Sequence, residues 1–162
     1  MKTLLFILLV IASQSVMAFS DRPTADLVLV KKSERKMFLI KNNTVFREYS
    51  ISLGKQPVGH KQQRGDYRTP EGLYTVDFRN RKSRYHLSLH INYPNQQDKL
   101  RAQQQGVDPG GDIFIHGLPN GKNLPLVYKG VDWTRGCIAV NNPQIREIAQ
   151  YVSDGTPIRI AP

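Results

Sequence analysis

The chain has 162 residues, with 23 Lys and Arg against 13 Asp and Glu, a formal net charge of +10 and one cysteine. That length admits one domain able to bury a sizeable core without covalent staples, and a single cysteine excludes an intramolecular disulfide framework. The basic surplus favours an anionic partner: nucleic acid, an anionic membrane face or a polyanionic wall polymer.

Residues 1–18 carry the marks of an export signal. Lys2 gives a positive start, Leu4 to Ala12 an apolar run, and Val16-Met17-Ala18 a small-residue cleavage site. The run is shorter than the roughly 20 residues that a membrane-spanning helix needs. The mature chain, residues 19–162, is expected to be exported as one domain. Export makes nucleic acid the weakest of the three partners. The basic residues are also scattered (Lys31-Lys32, Arg35-Lys36, Arg79, Arg81-Lys82, Arg84), and no RNA-binding signature accompanies them.

The stretch from Asp26 to Gly54 predicts three short strands, with Lys32 to Arg35 and Asn42-Asn43 as the turns between them. Gly54 to Gly65 reads as a loop. Pro70 and Gly72 mark a turn before a strand over Leu73 to Phe78. In "RYHLSLHINYP" the alternation predicts a strand with Tyr85, Leu87, Leu89 and Ile91 on one side. His86, Ser88, His90 and Asn92 then face the other. Pro94 to Gly111 reads as a long polar, lid-like excursion with a short helix at Gln96 to Gln105. A short strand ends on His116, and a turn-rich loop leads to the cysteine. Asn142 as cap and Pro143 at the first position predict a helix with an Ile145, Ile148, Ala149 and Val152 stripe, ended by Gly155. "TPIRIA" predicts the last strand.

In an exported chain, an unpaired thiol is either a bridge to another molecule or a reactive group. A free cysteine near pKa 8.5 is only a few per cent ionised at neutral pH, so a nucleophile needs a base or a positive neighbour. Among His60, His86, His90 and His116, the last fits best as base: it closes a strand, and Gly117 beside it leaves space for a substrate. Gly136 permits close backbone approach, and the Gly136 and Cys137 amides could together form an oxyanion hole. Arg135 adds a fixed cation. A buried, inert cysteine is the competing reading. If the imidazole ionises the thiol in the resting protein, alkylation should stay fast well below pH 8. His86 and His90 beside His116 and Cys137 also allow a zinc reading, weaker because strand-spaced histidines more often line a cleft. His90 and Tyr93 are candidate pocket walls. His60 reads as solvated, Trp133 as a core or rim anchor, and the Arg68 to Glu71 turn as structural.

"IFIHGLPN…DWTRGCIAVNN" resembles the catalytic signature of the L,D-transpeptidase (YkuD-domain) family: a His-Gly pair, a loop, Ser/Thr-X-Gly-Cys, apolar residues and Asn. Here it matches His116-Gly117, Thr134, Gly136-Cys137 and Asn142. "RGDYRTPEGLYTV" resembles the family's Thr-Pro-Glu-Gly turn, and the likeness runs from about Asp26 to Ile160. The commonest family pattern has a second histidine before the glycine and an arginine two residues after the cysteine; this chain has Arg135 and Ala139 there.

The resemblance implies a mostly β, single-domain YkuD-like sandwich or barrel with one helix in its C-terminal half and a long lid-like loop. It implies Cys137 as nucleophile, His116 as general base, the Gly117 carbonyl orienting the imidazole and the Gly136 amide at the oxyanion. Thr134, Arg135, His90 and Tyr93 are the expected substrate contacts. No metal or organic cofactor is implied. The substrate class is peptidoglycan stem peptides, attacked between diaminopimelate and a terminal D-alanine, in the periplasm. The acyl group then passes to a neighbouring stem, another amine acceptor or water. Hydrolysis by the same pair (carboxypeptidase, endopeptidase or lipoprotein-releasing amidase) and a silent basic wall-binding module are the alternatives.

Overall fold

The computed structural model describes residues 23–121 and 130–162; the expected leader and much of the loop before the cysteine lie outside the described residues. The chain forms eight strands and two helices: β1 (Leu27–Lys31), β2 (Lys36–Lys41), β3 (Thr44–Ser50), β4 (Gly72–Asn80), β5 (Ser88–Ile91), α1 (Gln96–Gln105), β6 (Ile113–His116), β7 (Ile138–Ala139), α2 (Asn142–Tyr151) and β8 (Thr156–Ala161).

All eight strands belong to one sheet in the order β3-β2-β1-β8-β4-β5-β6-β7. Its two ends meet. The chain leaving β3 pairs with the far edge through an isolated bridge, Ser52 with Ala139, exchanging bonds of 2.9 and 2.8 Å. The sheet thus curls shut, the expected sandwich or barrel. The Asn42-Asn43 turn between β2 and β3 has φ of 49° and 61°, the left-handed pair that a two-residue hairpin requires and asparagine tolerates.

Alternation sets the inner face. Val28 and Val30 of β1 lie opposite Leu39 and Met37 on one side and Ile158 and Ile160 on the other, and all six are buried. Leu89, Ile91, Ile113 and Ile115 continue this face through β5 and β6. Helix α2 lays Ile145, Ile148 and Ala149 onto the core, with Val152 just beyond. Its cap is Asn141, not Asn142: the Asn141 side chain accepts from Gln144 N–H, and the Gln144 side chain returns the bond.

Both helices read from the sequence form, α1 over the expected Gln96–Gln105. α1 has almost no apolar stripe, burying only Asp98 and Ala102. Polar contacts hold it instead. Asn95 and Asp98 make a capping box, and Gly106 closes the helix at φ 66°. Buried Asp98 also accepts from Tyr74 Oη at 3.0 Å and Arg101 Nη2 at 2.9 Å. The excursion is therefore pinned to β4 and is not a loose lid. None of the helices among the described residues is long and apolar enough to cross a membrane.

Candidate active site

His116 ends β6, and Cys137 immediately precedes β7, which runs parallel to β6 with Ile115 opposite Ile138 and His116 opposite Ala139. The thiol lies against the backbone of β6. Its Sγ donates to Asp112 O at 3.5 Å and receives the Phe114 N–H. His116 is two residues further along the same strand, a step of about 6.6 Å. One short strand therefore carries the imidazole and backs the thiol.

The imidazole is fixed on several sides. Nδ1 is 2.7 Å from Gly117 O. A carbonyl only accepts, so Nδ1 carries the hydrogen and Nε2 is left as a proton acceptor. Tyr85 and Trp133 flank the ring at centroid distances of 4.5 and 5.7 Å. Gly117 must be glycine for lack of room: an added Cβ would lie 2.6 Å from Asn142 Oδ1 and 3.0 Å from Tyr85 O. Asn142, which shares in the expected signature, accepts from Leu118 N–H at 2.8 Å and so holds the chain just after the histidine.

Burial sets the protonation of both groups. It holds His116 below the usual imidazole range, against the opposing effect of the Gly117 bond. It pushes the Cys137 thiol up, only partly offset by the Phe114 N–H. Both shifts favour the neutral forms, thiol and imidazole, over a preformed thiolate–imidazolium pair.

The turn before the cysteine is built from contacts that no local motif announces. Thr134 is buried; its hydroxyl donates to Cys137 O at 2.7 Å and accepts Gly136 N–H at 3.1 Å. Thr134 accordingly shapes the turn and is removed from the expected substrate contacts. The Gly136 amide, expected at the oxyanion, is engaged by that hydroxyl. Gly136 has φ 129°, and an added Cβ would lie 2.7 Å from Arg68 O. Upstream, Asp132 takes Arg35 Nε and Nη2 at 3.0 and 2.8 Å and Leu53 N–H at 2.9 Å, tying the segment to the β1–β2 turn and to the chain after β3.

The other expected residues divide. Arg135 is exposed beside the thiol. His90 lies opposite Phe114 in the β5–β6 register, one strand beyond the β6 backbone that backs the thiol, with Nδ1 2.6 Å from Asp77 Oδ1. Tyr93 does not line a groove: it is buried, with its hydroxyl donated to Pro109 O at 2.9 Å. His86 falls outside the strand at φ 68°, with Nε2 2.8 Å from Arg146 Nη1. His86 and His90 do not converge, and among the described residues no three His, Cys, Asp or Glu side chains are grouped to hold a metal. His60 is not solvated. It accepts Glu71 N–H at 2.9 Å, and its Nε2 lies 3.1 Å from Asp98 Oδ1.

Beneath the Thr-Pro-Glu-Gly turn is buried Lys32, donating to Gly59 O, Thr69 O and Glu71 Oε1 at 2.7, 3.0 and 2.7 Å. Thr69 in turn accepts Gly54 N–H at 3.1 Å. The turn is a structural support for the cysteine segment, as its Pro and Gly suggest. Lys61, buried against Asp66 at 2.7 Å, belongs to the same ring of supports.

Known proteins resemble this chain in sequence and fold. YafK of Escherichia coli (strain K12) is 30% identical over 140 residues, which cover 85% of this chain and 46% of YafK. The helical cell shape determining protein Pgp2 of Campylobacter jejuni matches at 29% identity and a TM-score of 0.64, covering 83% of this chain and 46% of Pgp2. Bd1075 of Bdellovibrio bacteriovorus matches at 31% identity and a TM-score of 0.58, over 83% and 46% of the respective chains. The chain thus spans about half the length of these relatives. L,D-transpeptidase 1 of Mycobacterium tuberculosis, at 14% identity and a TM-score of 0.52 over 84% of this chain and 60% of its own, shares the fold alone. The model of the YkuD L,D-transpeptidase catalytic domain matches residues 25–160, a span that holds both the buried histidine and the thiol, and the chain belongs to that family.

Proposed function

We propose that the protein is a cysteine acyltransferase acting on peptidoglycan stem peptides in the periplasm, reached through a cleaved leader of residues 1–18. The observation that carries the proposal is the Nδ1 contact of His116 with Gly117 O at 2.7 Å, which leaves Nε2 to draw a proton beside the only thiol.

In this reading Cys137 Sγ attacks the carbonyl carbon between diaminopimelate and the terminal D-alanine, and His116 Nε2 takes the thiol proton as the S–C bond forms. The tetrahedral oxygen is held by the Cys137 amide, because the Gly136 amide is already given to Thr134. Collapse breaks the C–N bond, and His116 returns the proton to the departing D-alanine amine. An acceptor amine then attacks the thioester, a new amide forms and the thiol is restored. A thiol and neutral imidazole suit this sequence, since the base must be unprotonated before each attack. Exposed Arg135 is the cation placed to meet a substrate carboxylate.

The test is intact-mass analysis of the chain incubated with a stem tetrapeptide. An acyl adduct on the wild type, lost in Cys137→Ala and no longer formed in His116→Ala, is the expected result. An adduct that persists in Cys137→Ala would overturn the assignment of the nucleophile.

A further inference from the structure

Three aromatic side chains occupy one row across the sheet beside the thiol, and the proposed chemistry uses none of them. In the ladder Phe78 stands opposite His90, and His90 opposite Phe114. The row ends at Cys137, whose Sγ receives the Phe114 N–H. Phe78 lies flat on His90, with centroids 4.5 Å apart and planes inclined by 18°, while Phe114 meets His90 edge-on at 4.8 Å. Asp77 anchors His90 through Nδ1 at 2.6 Å. One face of Phe78 is thus committed to a ring that is itself fixed, yet Phe78 is 45% exposed. A rigid aromatic face turned to solvent next to a nucleophile has the form of a stacking surface, since such rings bury large area with little loss of side-chain freedom.

We infer that the Phe78–His90–Phe114 cluster is a subsite for a pyranose ring of the glycan strand to which the stem peptide is attached. This rests on the acyl-transfer reading for its choice of ligand. Two observations point to a sugar. The cluster is continuous with the thiol, so its occupant is part of the acyl donor that the thiol attacks. Its reach also fits. Phe78 stands three inter-strand steps from Cys137, about 14 Å at the backbone. Its ring leans back to 6.1 Å from that of Phe114. A tetrapeptide attacked after its third residue puts three residues between the reacting carbonyl and the glycan, about 10 Å when extended. The sugar is the next group to arrive, and the apolar C–H face of a pyranose is the surface that stacks on an open aromatic face.

The experiment compares two acyl donors, the stem tetrapeptide alone and the same peptide carrying its disaccharide. The quantity read is the ratio of kcat/KM for the sugar-bearing donor over the free peptide. Phe78→Ala should lower that ratio about tenfold, the size of one ordinary aromatic contact, and Phe78→Trp should preserve it. A ratio unchanged in Phe78→Ala would overturn the inference, including the case where both donors suffer equally because the ring contacts peptide. If the wild type releases D-alanine from neither donor, the acyl-transfer reading fails. The subsite is then judged by titrating the free disaccharide into wild type and Phe78→Ala, followed by NMR shifts. Binding to the wild type that weakens about tenfold in the variant upholds it, and equal or undetectable binding in both overturns it.

Discussion

Replacing Lys32 by methionine removes a charge while keeping most of its volume. The ammonium is 2% exposed and donates to two carbonyls and to Glu71, which is itself 19% exposed. Burial pulls Lys32 below the usual lysine range despite the pull of Glu71, so desolvation outweighs the pair's attraction. The net worth of the intact pair is therefore far below the sum of its bonds. Removing one partner is another matter, because it strands Glu71 and the carbonyls of Gly59 and Thr69. Breaking a buried pair in this way costs about 3–5 kcal/mol. Glu71 keeps some contact with water, which favours the lower end. About 3 kcal/mol corresponds to a fall in Tm of roughly 10 °C for a chain of this size. Urea unfolding followed by circular dichroism should show the midpoint drop with the slope unchanged. In Lys32→Met/Glu71→Gln the loss should be smaller than the two single losses together, since no carboxylate is left stranded. A loss below about 1 kcal/mol in Lys32→Met would refute the reasoning.

The remaining predictions concern the site and the response to pH. Gly136→Ala places a Cβ 2.7 Å from Arg68 O and 3.3 Å from Ile113 Cδ1 at a φ of 129°, and should cost about 1–3 kcal/mol in strain alone. Wild-type Tm in that variant would contradict the packing. Because burial raises the Cys137 thiol and lowers His116, iodoacetamide alkylation should climb about tenfold per pH unit through neutrality and level off only above the ordinary thiol range near pH 8.5. A plateau below pH 7 would reveal a preformed ion pair. Tyr49, Tyr74 and Tyr93, each 3% exposed, are held above the usual phenol range, chiefly by burial. The unfolded chain then releases phenolic protons first, from about pH 10, so it binds fewer protons than the native state and stability falls as pH rises. The three together should remove about 4 kcal/mol per pH unit above pH 10, and Lys32, shifted downward, opposes this only below its unfolded pKa of about 10.4. A denaturation midpoint that stays flat from pH 10 to 11 would disprove it.

Features decided by neighbours in sequence were legible beforehand. Asn42-Asn43 declares its turn because few other residues accept two successive positive φ angles, and β2 before it alternates with period two. α2 could be read from Pro143 and the Ile145–Ile148–Ala149 spacing, although adjacent asparagines hid which one caps it. His116 and Cys137 stood out by type and motif. Partners far apart in the chain were not legible. His60 looked solvated because Asp98 is 38 positions away and becomes its neighbour only when α1 docks on β4. Thr134 and Tyr93 passed for substrate contacts because burial depends on long-range closure, not on residue type. The Phe78–His90–Phe114 row needs the register of three strands, which hydrophobic pattern alone does not specify.

β8 pairs in parallel with β1 and antiparallel with β4, so among the described strands it joins the β3-β2-β1 half of the sheet to the β4-β5-β6-β7 half by continuous ladders, where the Ser52–Ala139 contact is an isolated bridge. The last of the described strands is thus the keystone, and until it docks Val28 and Tyr74 have no Ile158 to pair with. Such non-local pairing delays folding. Removing β8 would therefore not trim an edge but take out the strand on which both halves of the sheet hang.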